Sequence, residues 1–370
     1  MRVLLLLFMI WCRCVAADAP LGLPPLAIPQ DNPQTAAKIS LGQRLFHDTR
    51  FSQNGQVSCA SCHNPSLAFT DHATVSEGIH QLKGARNAPT VINAAYAKTQ
   101  FWDGRAADLE AQALGPMLNP LEMGMPDGEA VLSIVRGDDT YQAQFNQVFG
   151  VTSRQIALAH IAKAIASFER TLIAGNSPFD RYYFAKESEA LSQSAKRGLS
   201  VFYNQAACAS CHTLDRNFAL FTDHEFHNIG VGSQRISKLM QRLDSARNPL
   251  NATQITALAG NHDTELGRYL VTGETRDIGA FKTPTLRNIE KTPPYMHDGS
   301  LKTLAEVVEY YDKGGVSDGV PVQSKLLDAR IRPLNLNRQQ KNDLVAFMRS
   351  LTSPDYQSVE IDEPERNNVH

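Results

Sequence analysis

The chain has 370 residues, 42% hydrophobic and 20% charged, with a net charge of −2 and six cysteines. That size supplies two domains or one large one, and the ordinary charge fraction excludes a wholly disordered chain. The near-neutral balance argues against nucleic-acid binding, which draws on a basic excess, and six cysteines are too few for a disulfide scaffold of this length.

Residues 1–17 read as a secretory signal. Arg2 gives the positive start, Val3 to Trp11 an apolar stretch too short to span a bilayer, and Val15-Ala16-Ala17 the small residues ahead of cleavage at Asp18. No other run approaches the roughly 18 apolar residues of a membrane span. The expected product is periplasmic and not an integral membrane protein; an uncleaved anchor is the other reading. Cleavage removes Arg2, Arg13, Cys12 and Cys14, so 36 basic residues become 34 against 38 acidic ones, and four cysteines remain.

All four lie in C-x-x-C-H motifs, Cys59-Ala-Ser-Cys62-His63 and Cys208-Ala-Ser-Cys211-His212. This is the attachment signature of c-type haem: two thiols form thioethers and the histidine reaches the iron from one side. A zinc site would need further ligands at suitable spacing, and a redox dithiol needs only one motif. Two covalently bound haems are therefore expected.

The surroundings repeat. Gly42-x-x-x-Phe46 and Gly198-x-x-x-Phe202 precede the motifs. Ala88-Pro89-Thr90-x-x-Asn93 corresponds to Thr283-Pro284-Thr285-x-x-Asn288, and Trp102-Asp103-Gly104 to His297-Asp298-Gly299. Leu109 and Leu304 then each open a helical pattern. The spacing of Ile161, Ile165, Phe168 and Leu172 predicts a helix within residues 153–171, stopped near Gly175. Asn337-x-x-Gln340 resembles a capping box ahead of Leu344, Phe347 and Leu351. The expected fold is mostly all-α: two cytochrome-c-like haem domains related by internal duplication, 18–185 and 186–352, with long loops and a flexible tail, 353–370.

Thr303-x-x-Glu306 is a second capping box, and Leu304, Val307, Val308 and Tyr311 form the buried stripe behind it, with Tyr310 well round the helix. Tyr311 is then either an axial iron ligand or a core tyrosine bonded to a carbonyl. The repeat places Pro116 at the matching position of the first half. Proline cannot ligate iron, so that haem is expected to be five-coordinate, beneath a pocket carrying Gln112 and Glu122. Glu122 can move a proton between peroxide oxygens, or be a structural turn residue. Trp102, opposite His297 in the repeat, is either core or a carrier between the haems.

These residues resemble the bacterial di-haem cytochrome c peroxidase family, and within it the MauG branch. The likeness rests on both haem motifs, Arg86-Asn87-Ala88-Pro89-Thr90, Phe101-Trp102-Asp103-Gly104-Arg105, Phe281 to Asn288 and Pro294-Tyr295-Met296-His297-Asp298-Gly299. The resemblance implies Tyr311 as the second haem's ligand in place of the peroxidases' methionine, with Met296 as a lesser candidate. It implies distal-pocket roles for Gln112, Pro116 and Glu122, an inter-haem role for Trp102, and a calcium ion held by Asn87, Thr292 and Pro294. The position of the peroxidases' inhibitory distal histidine aligns with Ile79, one residue from His80. A surface tryptophan that the MauG branch uses toward its protein substrate is replaced by Ala206.

The function implied is peroxide-driven oxidation of residues, tryptophan above all, on a periplasmic partner protein, through oxidising equivalents shared by the two haems. A peroxidase reducing hydrogen peroxide with a small cytochrome or cupredoxin donor is the alternative. A non-catalytic electron-transfer cytochrome is a third reading, and Pro116 argues against it.

Overall fold

A computed structural model of the protein describes residues 19–245, 249–315 and 324–361; the expected signal, 1–17, and the end of the tail lie outside them. Among these residues there are thirteen α-helices: α1 (Ala36–His47), α2 (Cys59–Cys62), α3 (Leu109–Leu118), α4 (Gly128–Arg136), α5 (Asp139–Phe149), α6 (Leu158–Glu169), α7 (Pro178–Tyr183), α8 (Gln193–Tyr203), α9 (Ser237–Ser245), α10 (Ala252–Ala259), α11 (Tyr269–Thr272), α12 (Leu304–Asp312) and α13 (Arg338–Arg349). Two short strands, β1 (Phe226–His227) and β2 (Phe281–Lys282), pair antiparallel. The mostly helical expectation holds.

The duplication is visible in how each half closes its core. Helix α1 crosses α6 at Gly42, where a β-carbon would overlap the Ala164 carbonyl; α8 crosses α13 at Gly198, where it would overlap the Asp343 carbonyl. Only a glycine lets the backbones approach so closely. Phe46 packs edge-on against Phe168, 5.2 Å between centroids, and Phe202 packs on Phe347 at 5.0 Å. The two glycine–phenylalanine pairs of the sequence are thus equivalent helix crossings.

The connecting loops repeat as well. Thr90 Oγ1 donates to Ala68 O and Thr285 Oγ1 to Leu220 O, both at 2.7 Å. Asn93 and Asn288 take left-handed backbone angles and tie each loop to the chain just after the core's last helix, through Leu172 O and Leu351 O. Both capping boxes form: Asn337 with Gln340, and Thr303 with Glu306.

Three features differ from expectation. The helix expected within 153–171 begins at Leu158, preceded by a short 3-10 turn at Ser153–Gln155, with the chain extended at Ile156. The first core ends at Ala174 and the second begins at Phe179, so α7 belongs to the second half and the changeover precedes residue 185. The tail is docked rather than flexible as far as Val359. Ser353 N donates to Asn288 Oδ1 at 2.8 Å, Lys291 Nζ to Val359 O at 2.9 Å, and Tyr356 and Val359 return to the first core.

A third apolar cluster, Ile236 to Ile278, has no counterpart in the first half. This lobe of α9 to α11 reaches the junction of the two halves. Its Glu265 accepts from His297 Nε2 at 2.9 Å, and its Arg268 donates to Asp103 O and Gly104 O.

Candidate haem sites

Each attachment motif leaves its histidine anchored by one nitrogen. His63 Nδ1 lies 3.2 Å from Phe69 O and His212 Nδ1 2.9 Å from Phe221 O. A carbonyl only accepts, so Nδ1 carries the proton and Nε2 is the free, basic nitrogen. Desolvation lowers both pKa values and keeps the rings neutral, the form a metal ligand needs.

The cysteines fit thioether attachment. None of the four is paired in a disulfide. Burial pushes the Cys59 and Cys208 thiols up to about 12 and Cys62 up to about 11. Forming a thiolate there is costly, which disfavours a reactive dithiol or a zinc thiolate site; a thioether carries no charge. Cys211 does lie near Asp223 and His227. That histidine is already engaged at both nitrogens, by Asp223 and Asp328, each at 2.9 Å.

The pockets are unequal. A cavity of about 60 Å³ is lined by Cys59, Cys62, His63, Gln112, Pro116 and Glu122. Helix α3 carries two of these groups, Gln112 and Pro116, and the turn after it carries Glu122. Asp108 caps its start, and a bidentate Glu110–Arg170 pair, both bonds 2.7 Å, fixes it to α6. Glu122 is half-buried, and desolvation raises its carboxyl pKa against the opposing pull of Arg105 and Asn119. Asn119 Nδ2 donates to Glu122 Oε1 at 2.7 Å, which leaves Oε2 for another partner. Ile79 is buried beside this turn, its N–H donating to Glu122 O, whereas His80 is exposed and does not line the cavity.

The second cavity, about 410 Å³, holds Cys208, Cys211, His212 and Tyr311, with Leu286, Val307 and Met348 on its mostly apolar wall. Tyr311 and Tyr310 turn to different surroundings. Tyr310, expected away from the buried stripe, is itself buried, and its hydroxyl donates to Ile229 O at 2.8 Å. Tyr311 faces the cavity, and desolvation first of all raises its phenol pKa strongly. Met296 also lines this wall.

The cavity continues past Trp102 to Pro89, Thr90 and Phe101 of the first half. Trp102 Nε1 donates to Asn87 O at 2.9 Å. Asn87, Thr292 and Pro294 line the same cavity. Asn87 Nδ2 is engaged with Ala73 O at 2.9 Å, so its Oδ1 is the atom turned to other use. An amide oxygen is the hard, neutral kind of donor that calcium takes.

Two residues at these sites escaped the sequence reading. Glu169 lines the first cavity, 5% exposed, with Oε2 unpartnered, and burial pushes its carboxyl up to about 8. Its signal was present: four residues past Ile165, it sits on the apolar stripe of α6. Lys282, in the wall of the second cavity, donates to Thr99 O at 2.6 Å, and desolvation brings it down to about 8.

Duplicated helical halves, each with a carbonyl-anchored histidine beside two half-buried thiols, define a two-centre haem protein. The family model of di-haem cytochrome c peroxidases matches residues 36–189. MauG of Methylorubrum extorquens is 37% identical over 323 residues, covering 87% of this chain and 80% of that protein. The cytochrome c peroxidase IdrP1 of Denitromonas iodatirespirans is 36% identical over 362 residues, covering 92% and 90%. The crystal structure of a MauG-like protein associated with microbial copper homeostasis superposes with a TM-score of 0.74 at 32% identity, covering 91% of this chain and 95% of that one. The chain belongs to the di-haem cytochrome c peroxidase family, which includes MauG, and is a di-haem oxidoreductase. No helix among the described residues is long and apolar enough to cross a membrane.

Proposed function

We propose that the protein is a periplasmic, peroxide-driven oxidase of the MauG type, whose substrate is a side chain, tryptophan first, on a partner protein. One observation carries this reading: Gln112, Pro116 and Glu122 share a cavity with His63, and none of them is a strong iron ligand, whereas Tyr311 shares its cavity with His212. That asymmetry suits one centre that reacts and one that stores or relays electrons.

Cys59, Cys62 and His63 would hold the first haem, and Cys208, Cys211, His212 and Tyr311 the second. Haem iron, when bound, supplies the redox couple that peroxide reduction needs. Glu122 Oε2 takes the proton from one peroxide oxygen and returns it to the other, while Asn119 steadies Oε1. Gln112 offers an amide to the same space, and Pro116 leaves it sterically open. Trp102 bridges toward the second cavity, and Asn87, Thr292 and Pro294 hold one calcium ion between the halves.

A second reading is favoured by relatives named cytochrome c peroxidases: reduction of hydrogen peroxide by a small cytochrome or cupredoxin. The deciding experiment treats the ferric, haem-loaded protein with stoichiometric peroxide beside candidate periplasmic proteins, then weighs each partner. Added oxygen or a cross-link on a partner supports the oxidase. Steady turnover with a reduced donor and no partner modification supports the peroxidase. Two low-spin six-coordinate haems that ignore peroxide would sink both.

A further inference from the structure

The second core ends at the surface in two phenols that the chemistry above leaves unused. Tyr203 closes α8, just ahead of the Cys208 motif, and is 40% exposed. Tyr183, at the end of α7, is its neighbour; burial first, then that neighbouring phenol, push Tyr203 up to about 12.

Aromatic rings continue inward from this pair. Tyr183 stacks on Phe179 with centroids 5.3 Å apart, and Phe179 meets Phe221 at 5.2 Å. Tyr203 lies 6.4 Å from Phe202, which is 6.3 Å from Phe221. Phe221 is the residue whose carbonyl anchors His212. Two short ring paths therefore run from the exposed Tyr203 and the half-buried Tyr183 to the back of the second centre's histidine. Ala206, where the MauG branch has its surface tryptophan, is buried and has no redox-active side chain.

We propose that Tyr203 and Tyr183 form the surface port through which a partner protein delivers electrons to the second centre. The port rests on the peroxide-driven reading above. In each passage the Tyr203 phenol loses one electron inward, and its proton passes to the water beside the exposed ring, giving a neutral phenoxyl radical. The partner restores the phenol with one electron, and water returns the proton. Two passages supply the two electrons, and solvent the two protons, that convert one hydrogen peroxide into two waters. The phenylalanines are not oxidised; they shorten the gaps that the electron crosses.

The test mixes the full-length, haem-loaded protein with hydrogen peroxide and a nitroso spin trap, without any partner. Radicals are read by paramagnetic resonance, and trap adducts and dityrosine-linked dimers by peptide mass mapping. Adducts should fall on Tyr203 and Tyr183, and Y203F and Y183F should lose most of both signals. Y182F should keep them, because the Tyr182 ring lies under Lys196 outside the path. Matching ferric spectra check that the variants carry both haems; if Y183F does not, the exposed Y203F decides alone. Peroxide consumed with adducts elsewhere, and unchanged in Y203F, overturns the port and leaves the oxidase reading standing. Peroxide not consumed at all overturns that reading and the port with it.

Discussion

Trp102 and His297, equivalent residues of the two halves, meet edge to face with ring centroids 6.5 Å apart. His297 is stacked on Phe281 at 3.6 Å and held by Glu265 of the extra lobe, so the contact is fixed from behind. Trp102→Phe should keep the ring's bulk but slow the response of the second centre to peroxide added at the first, read by stopped-flow absorption. It also strands Asn87 O, at a cost of about 1 kcal/mol visible in the thermal melt.

Glu122 acts as a base in its carboxylate form. Because desolvation raises its pKa, the peroxide reaction should quicken as pH rises through a value above the ordinary 4.5 of a glutamate. Glu122→Gln should lower the rate by roughly 10²–10⁴-fold and flatten that pH profile. Rates measured from pH 4 upward with both proteins check the prediction.

Tyr311→Phe removes the only hydroxyl on α12 that faces the His212 cavity, since Tyr310 is turned to Ile229. The second ferric haem should lose its six-coordinate signature in paramagnetic resonance while the first keeps its own. An unchanged spectrum would assign the ligand elsewhere, with Met296 next in line.

Glu169 should tilt stability with pH. Its folded pKa, about 8, lies above the ordinary value of 4.5, so the native state binds the extra proton between those limits. Its contribution is therefore complete below pH 4.5 and is lost as pH rises toward 8. Glu169→Gln should flatten the melting temperature across that window, measured at fixed ionic strength.

Gly198→Ala places a methyl group against the Asp343 carbonyl at the α8–α13 crossing. A loss of about 1–3 kcal/mol is expected in denaturant titration, because neither backbone can retreat without moving its core.

Chemistry carried by local spacing was legible in the chain. The C-x-x-C-H motifs, the repeated Gly-x-x-x-Phe pairs, the capping boxes and the stripe that turns Tyr311 inward were all readable from local spacing; that the glycines mark helix crossings was not. The sequence could not say that Tyr310 is buried too, because its carbonyl partner is 81 residues away. For the same reason the docked tail, the lobe that grips His297 and the burial of Glu169 escaped it: each depends on which distant surface arrives alongside. Four cysteines and two histidines were thus committed by the sequence alone. Which ring backs each histidine, and which phenols reach solvent, was decided only when the duplicated halves packed, because desolvation and ring contact are properties of neighbours and not of residues.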